Sequence, residues 1–146
     1  MYNYEELGLV NTKEMFAKAY REGYAVPALN FVTIEQLNGM MDAVIEKKSP
    51  VILLVSPNLH RQLGHEMTAR LAQVATDRVK HAGLDIPVAL HLDHGMTYEQ
   101  CVMAVEGGFS SIMIDGSKLP FEENIALTKK VVEYAHAHNV TVEAEL

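Results

Sequence analysis

The sequence predicts an α/β fold on a parallel sheet of five strands in series, with a (β/α)8 TIM barrel favoured over a doubly wound sheet. Three observations carry this. Short apolar runs alternate with segments of helical periodicity, and strand starts recur about every 25–35 residues, as in a series of βα units. The runs are apolar on both faces, as expected where helices cover a parallel sheet. Each run is followed at once by a polar or ionisable residue. In a barrel such ends converge on one mouth; in a doubly wound sheet, the other architecture that fits, they spread along an edge.

The elements follow in order. Thr12 to Glu22 places Met15, Phe16, Ala19 and Tyr20 at helical spacing, with Gly23 set to end the helix. Ala25–Leu29 reads as a short strand that carries Pro27, a residue poorly suited to a ladder. Thr33-Ile34-Glu35-Gln36 is a capping-box pattern and opens a helix to about Lys47. After Pro50, Val51–Val55 is wholly apolar and of strand length, and a helix is expected from about Gly64 to His81, ended by Gly83. Pro87–Leu92 is the third strand. Thr97-Tyr98-Glu99-Gln100 repeats the capping-box pattern before a helix that ends near Gly107-Gly108. Ser111–Ile114 is the fourth strand, Pro120 opens a helix to about His138, and Val140–Ala144 is the fifth strand.

The composition bounds the function. With 146 residues and 49% hydrophobic content the chain can build a core, and a net charge of −7 argues against nucleic acid as a partner. One cysteine, Cys101, excludes an internal disulfide and a cysteine zinc cluster. No apolar run approaches the ~20 residues that span a bilayer, and the acidic N-terminal segment is unlike a secretory signal, so no membrane partner and a cytoplasmic setting are expected. No glycine-rich phosphate loop follows a strand, because Gly107-Gly108 precedes one.

The strand ends carry the chemistry. They are Asn30, Ser56, Asp93-His94, Asp115 and Glu145. Asn30 and Ser56 taken singly are ordinary turn formers; the acids and the imidazole together are not. His94, with Asp115 and Glu145 as oxygen donors, could form part of a divalent-metal site, which in catalytic zinc proteins takes about three protein ligands. His91 shares a strand face with Asp93 and either fills the barrel interior or orients a neighbour. His60, His65, His81, His136 and His138 fall on helices or their ends and are expected at the solvated surface. Gly95 and Gly116, just after the charged strand ends, are expected to supply tight turns.

Several segments in their order and spacing closely resemble the metal-dependent (class II) fructose-bisphosphate aldolases. They are His91-Leu92-Asp93-His94-Gly95, Ser110–Ser117, Pro120–Ile125 and Val142-Glu143-Ala144-Glu145-Leu146. Asn30-Phe31, Ser56 and the opening Leu9-Val10-Asn11-Thr12 fit the same pattern, so the resemblance covers the whole chain. It implies a zinc enzyme that reversibly cleaves the phosphosugar fructose 1,6-bisphosphate to dihydroxyacetone phosphate and glyceraldehyde 3-phosphate. By position, His94 matches a zinc-ligand histidine. Asp93 matches the acid/base that exchanges a proton with the C4 oxygen. Asp115 and Glu145 match acidic residues tied to a second cation site, divalent or monovalent, or to an alternative metal position. Asn30 and Ser56 match residues near the substrate, Ser56 towards a phosphate, although Pro57-Asn58-Leu59 replaces the small residues usual after that serine. The lysine Schiff-base route is not expected, because Lys118, the only lysine near a strand end, falls in a loop.

The family pattern continues beyond Glu145-Leu146 with a glycine-rich loop, a catalytic glutamate, two more zinc histidines and phosphate-binding loops. The resemblance therefore implies that residues 1–146 are the N-terminal part, about the first five strands of eight, of one incomplete TIM-barrel domain. Such a piece, alone, is expected to be inactive and aggregation-prone or oligomeric, because strand edges and an apolar interior are left open. The intact form is expected to be a homo-oligomer, dimer or tetramer. Two alternatives stand beside this reading: an aldolase for tagatose bisphosphate, which shares most of these motifs, and a non-catalytic α/β module that binds cations or sugar phosphates.

Overall fold

A computed structural model describes residues 1–146. Its elements are α1 (Thr12–Glu22), β1 (Ala28–Asn30), α2 (Ile34–Lys47), β2 (Val51–Val55), α3 (Pro57–His81), β3 (Val88–Gly95), α4 (Tyr98–Glu106), β4 (Ser111–Asp115), α5 (Phe121–Ala137) and β5 (Thr141–Glu145). The five strands form one sheet in the order β1-β2-β3-β4-β5, and all four pairings are parallel. A doubly wound sheet reverses its strand order at a switch point. This sheet never reverses, which decides between the two architectures left open by the sequence: it is an arc of a barrel wall.

The two faces of the arc differ as their sequences require. Val51, Leu53, Val55, Val88, Leu90, Leu92, Ile112 and Ile114 belong to a cluster of 26 buried residues packed under the helices. The alternate positions form the inner face, where the buried apolar cluster is only Met15, Ile52 and Ala89. Polar and charged groups occupy much of the rest of that face, as the interior of a barrel that carries chemistry at one end must allow. Helix α1 lies across the N-terminal end of the inner face. Val10 N–H donates to Val88 O at 3.0 Å, and the hydroxyls of Thr12 and Thr141 meet at 2.7 Å. Thr12, Met15 and Ala19 are its buried residues. Phe16 and Tyr20, expected on the packed stripe, are 51% and 92% exposed.

Local chemistry sets the boundaries. Thr33 caps α2 through a complete capping box, with Gln36 N–H bonded to the Thr33 hydroxyl. At α4 only half of the box forms: Thr97 accepts from Gln100 N–H, but the Gln100 side chain reaches Met96 N–H at 2.7 Å. β1 begins at Ala28 rather than Ala25, because Pro27 has no N–H to place in the ladder. Helix α3 begins at Pro57, seven residues before the expected start. Ser56 caps it by accepting from Leu59 N–H at 3.3 Å, and Pro57 takes the first turn, where a missing N–H costs nothing. Gly64 (φ 73°, ψ 171°) is instead a break between two helical segments.

That break buries His60, which was expected in solvent. Its ring packs 4.8 Å from Phe109 and 5.0 Å from His65, and burial pushes its pKa down to about 4. Of the two glycines expected in tight turns, Gly116 opens one, closed by Leu119 N–H donating to Gly116 O at 2.9 Å, whereas Gly95 lies within β3 and the left-handed residue there is His94. Neither glycine has positive φ. Both also permit close packing. A β-carbon on Gly95 would sit 2.7 Å from Met113 O, and one on Gly116 would overlap the amide of Asn124. Asn124 is buried and donates to Glu145 O at 2.7 Å, tying α5 to the end of β5.

Gly116→Ala should therefore destabilise the fold by about 1–3 kcal/mol, the usual cost of forcing a methyl group into a packed site. Chemical denaturation of the two proteins measures this; a difference within about 0.5 kcal/mol would show that Asn124 moves aside freely.

Candidate metal centre

Neighbouring residues on a strand point to opposite faces, so Asp93 and His94 should not share a site. A register slip resolves this. Leu92 pairs with Ile112, but Gly95 pairs with Ile114, so Asp93 and His94 together oppose the single residue Met113. Such a bulge re-aims side chains. His94 takes the turn at φ 58°, a left-handed conformation uncommon for a residue with a β-carbon. Gly95 then returns to the outer face against Leu92 and Cys101. Both Asp93 and His94 are thereby brought to the carboxyl-end mouth, where barrel enzymes keep their chemistry.

His94, Asp115 and Glu145 converge from β3, β4 and β5, with one ligand atom of each within 4.8 Å of the others. His94 Nδ1 lies 3.0 Å from Asp115 Oδ2 and 3.6 Å from Glu145 Oε2, and His94 Nε2 lies 4.0 Å from Asp93 Oδ1. Asn30 reaches across from β1, its side-chain amide donating to Asp93 Oδ2 at 3.1 Å. Five of the six sequence-predicted residues thus form one constellation. Ser56, at the end of β2, makes none of its hydrogen bonds; its hydroxyl caps α3.

The electrostatics follow from the packing of acids around one imidazole. The Asp115 hydrogen bond raises the His94 pKa, and the nearby charges of Asp93, Asp115 and Glu145 add to it. Hydrogen bonds from the Ser117 hydroxyl, His94 and the Ser117 N–H hold the Asp115 carboxyl down at about 2. A depressed carboxyl stabilises the fold above its ordinary value of 3.8, and that contribution is lost as pH falls through about 2. A raised histidine stabilises below its ordinary 6.5, and that contribution is lost as pH rises through its folded value. The pair's full contribution is therefore present between about pH 4 and 6.5, and the imidazolium is lost only as pH rises further, through the raised folded value. Above it, a cation could occupy the proton's place, because a metal-binding histidine must be neutral. Cys101 is no competing ligand, since burial pushes its thiol up to about 12.

Four supporting residues have no role in the sequence reading. Ser117 donates to Asp115 Oδ1 twice, from its hydroxyl at 2.6 Å and its N–H at 3.1 Å, a turn that Asp-Gly-Ser makes readily. Asn124 holds the backbone of Glu145. Ser111 Oγ lies 2.8 Å from His91 Nδ1, and Glu143 Oε2 lies 3.6 Å from His91 Nε2. These contacts needed the register, which strand periodicity alone does not supply. A cavity of ≈ 340 Å³ opens onto His91, Ser111 and Glu143 inside the arc. A larger one, ≈ 520 Å³, lies at the opposite end of the strands near Asn11, Pro50, Pro87 and Asn139, remote from the constellation.

The chain matches known proteins over nearly its whole length. Residues 10–146 match the family described as fructose-bisphosphate aldolase class-II. The chain is 51% identical over 148 residues to a fructose-bisphosphate aldolase of Treponema pallidum (strain Nichols), covering 100% of this chain and 45% of that protein. It is 46% identical to one from Helicobacter pylori (strain J99), covering 94% and 44%. Among solved structures, the YdjI aldolase from Escherichia coli K12 superposes with a TM-score of 0.81 at 33% identity, covering 94% of this chain and 50% of that one. Fructose-bisphosphate aldolase (Fba) from Campylobacter jejuni superposes at 0.80 with 25% identity, covering 99% and 46%. The chain spans just under half the length of these curated relatives.

Asp115→Asn should lower the pKa of His94, because it removes the hydrogen-bonding carboxylate that raises it most. An NMR titration of the His94 ring in metal-free protein reads the midpoint; no movement would contradict the ion-pair assignment.

Proposed function

This chain belongs to the class-II fructose-bisphosphate aldolase family, and from that membership we propose that it forms the N-terminal part of one barrel domain that reversibly cleaves fructose 1,6-bisphosphate into two triose phosphates. The observation that carries the proposal is the convergence of His94, Asp115 and Glu145 within 4.8 Å beside an Asp93 oriented by Asn30. One imidazole and two carboxylates from three adjacent strands form a donor set suited to a divalent ion such as zinc. His94 would be a zinc ligand, while Asp115 and Glu145 would hold the same ion or a second cation. Bound there, zinc supplies Lewis-acid stabilisation of the negative charge left on the ketone fragment when the C3–C4 bond breaks.

The residues of this chain take the remaining roles. In cleavage Asp93 accepts the proton of the C4 hydroxyl, and in condensation it returns that proton to the new alkoxide. Asn30 fixes the Asp93 carboxylate through Oδ2, which leaves Oδ1 towards His94 and the site. Ser117 and Asn124 hold Asp115 and the end of β5 in place, so the acids are positioned before any ligand arrives. The Ser56 hydroxyl accepts from Leu59 N–H and retains its own hydrogen. It can donate that hydrogen to a substrate phosphate at the N-terminus of α3, where the helix dipole favours an anion. Family membership supports a cytoplasmic setting and a homo-oligomeric whole protein; no helix here is long and apolar enough to cross a membrane.

Two variants test the assignment in the complete polypeptide that contains residues 1–146. Asp93→Ala should reduce turnover of fructose 1,6-bisphosphate at least 100-fold, in line with loss of a general acid/base, while bound zinc is retained. His94→Ala should lose zinc and turnover together. Full zinc content in the His94 variant, or turnover untouched in the Asp93 variant, would refute the roles given.

A further inference from the structure

The slip between β3 and β4 has to begin at one defined place, or Asp93 and His94 would not both reach the mouth. Below the slip the two strands are in regular register at His91↔Ser111 and Leu92↔Ile112. On the outer face Ser110 already ties them, donating from N–H to Leu90 O at 3.0 Å and accepting Leu90 N–H on its hydroxyl at 3.1 Å. On the inner face His91 and Ser111, themselves a register pair, are joined by a buried side-chain hydrogen bond of 2.8 Å. His91 is the last residue of β3 before the bulge whose side chain makes a cross-strand hydrogen bond to β4.

From the Proposed function, and deepening it, we infer that His91 is a positioning residue for the metal centre, a clamp with Ser111 that keeps the extra residue of β3 on the C-terminal side of His91, towards the mouth. The physical case is one of alternatives. A parallel ladder offers few reasons for a bulge at one step rather than another: an insertion at Leu92 would leave His91 opposite Ser111, but an insertion on the N-terminal side of His91 would pair Ser111 with Leu92 and carry His91 out of its place. That move breaks a hydrogen bond in a buried setting and strands both polar groups, which is more costly than the bond alone is favourable. Glu143 approaches the other ring nitrogen at 3.6 Å and is 62% exposed, so it is the weaker partner. The two nitrogens therefore make separable contributions: the Nδ1 contact sets the register and the Nε2 contact does not.

Asparagine and glutamine separate them. The amide of His91→Asn falls near the place of Nδ1 and can bond Ser111. The longer His91→Gln reaches towards the place of Nε2 and Glu143. The readout is amide hydrogen exchange at His94, Gly95 and Ile114 in metal-free protein, with Leu53 and Leu90 as internal controls for global folding. His91→Gln and Ser111→Ala should each speed exchange around the bulge roughly tenfold, the scale of one buried hydrogen bond, while His91→Asn stays within about threefold of the parent. His91→Gln combined with Ser111→Ala should add little to either alone, because both remove the same bond. Equal behaviour of the Asn and Gln variants, or fully additive single changes, would overturn the clamp. Since the measurement needs neither metal nor substrate, it stands apart from the test of the aldolase reading, which fails or holds on zinc content and turnover.

Discussion

The structure depends most on a one-residue mismatch between two strands. Parallel pairing ties the period of side chains to the period of the ladder, and a strict ladder would send Asp93 inward and His94 outward. The slip lets consecutive residues face the same mouth, with His94 in a left-handed conformation and Gly95 tucked where a β-carbon would strike Met113 O. Local strain at a site held by the surrounding structure is a recurrent feature of functional centres. Here the restraints are visible: Ser110 and Ser111 below the slip, Cys101 and Leu92 behind it, Asp115 in front of it.

The second constraint is charge. Three carboxylates and one imidazole meet at the mouth, a cluster that repels itself unless positive charge is present. Without metal, the protonated His94 supplies that charge, and the acids raise its affinity for the proton as they would raise the affinity of the site for a cation. The same arrangement that makes Asp115 a strong acid makes it a ready ligand, because it is ionised throughout the neutral range. A metal bound there would compete with the proton for one place, so its affinity would be coupled to pH by the geometry itself.

Much of this was legible in the letters. Apolar runs and capping patterns located every strand and helix, and the polar residue after each run pointed to one mouth, because strand ends in a barrel leave their next residue at its rim. The sequential strand order was not legible, and βα alternation alone gives both a barrel and a doubly wound sheet; the choice of a barrel rested on the polar strand ends and the family resemblance. Boundaries failed where side chains competed with periodicity. Ser56 and Pro57 started α3 early, and Gly64, read as a start, is a break. His60 failed for a similar reason: the early start and the break together fold it onto Phe109. At the site, the cluster of His94, Asp115 and Glu145 was readable by position, but its supports were not. Ser117, Asn124, Ser111 and Glu143 act through distances that depend on register, and register depends on the bulge.

The proposed function requires that separate strands deliver one imidazole and two carboxylates to a single cation. Anomalous diffraction from crystals grown with zinc at neutral pH tests it most directly. A peak is expected among His94, Asp115 and Glu145, about 2.0–2.2 Å from the His94 ring nitrogen and at least one carboxylate oxygen. A zinc peak elsewhere, with those three side chains left in their mutual hydrogen bonds, would contradict it.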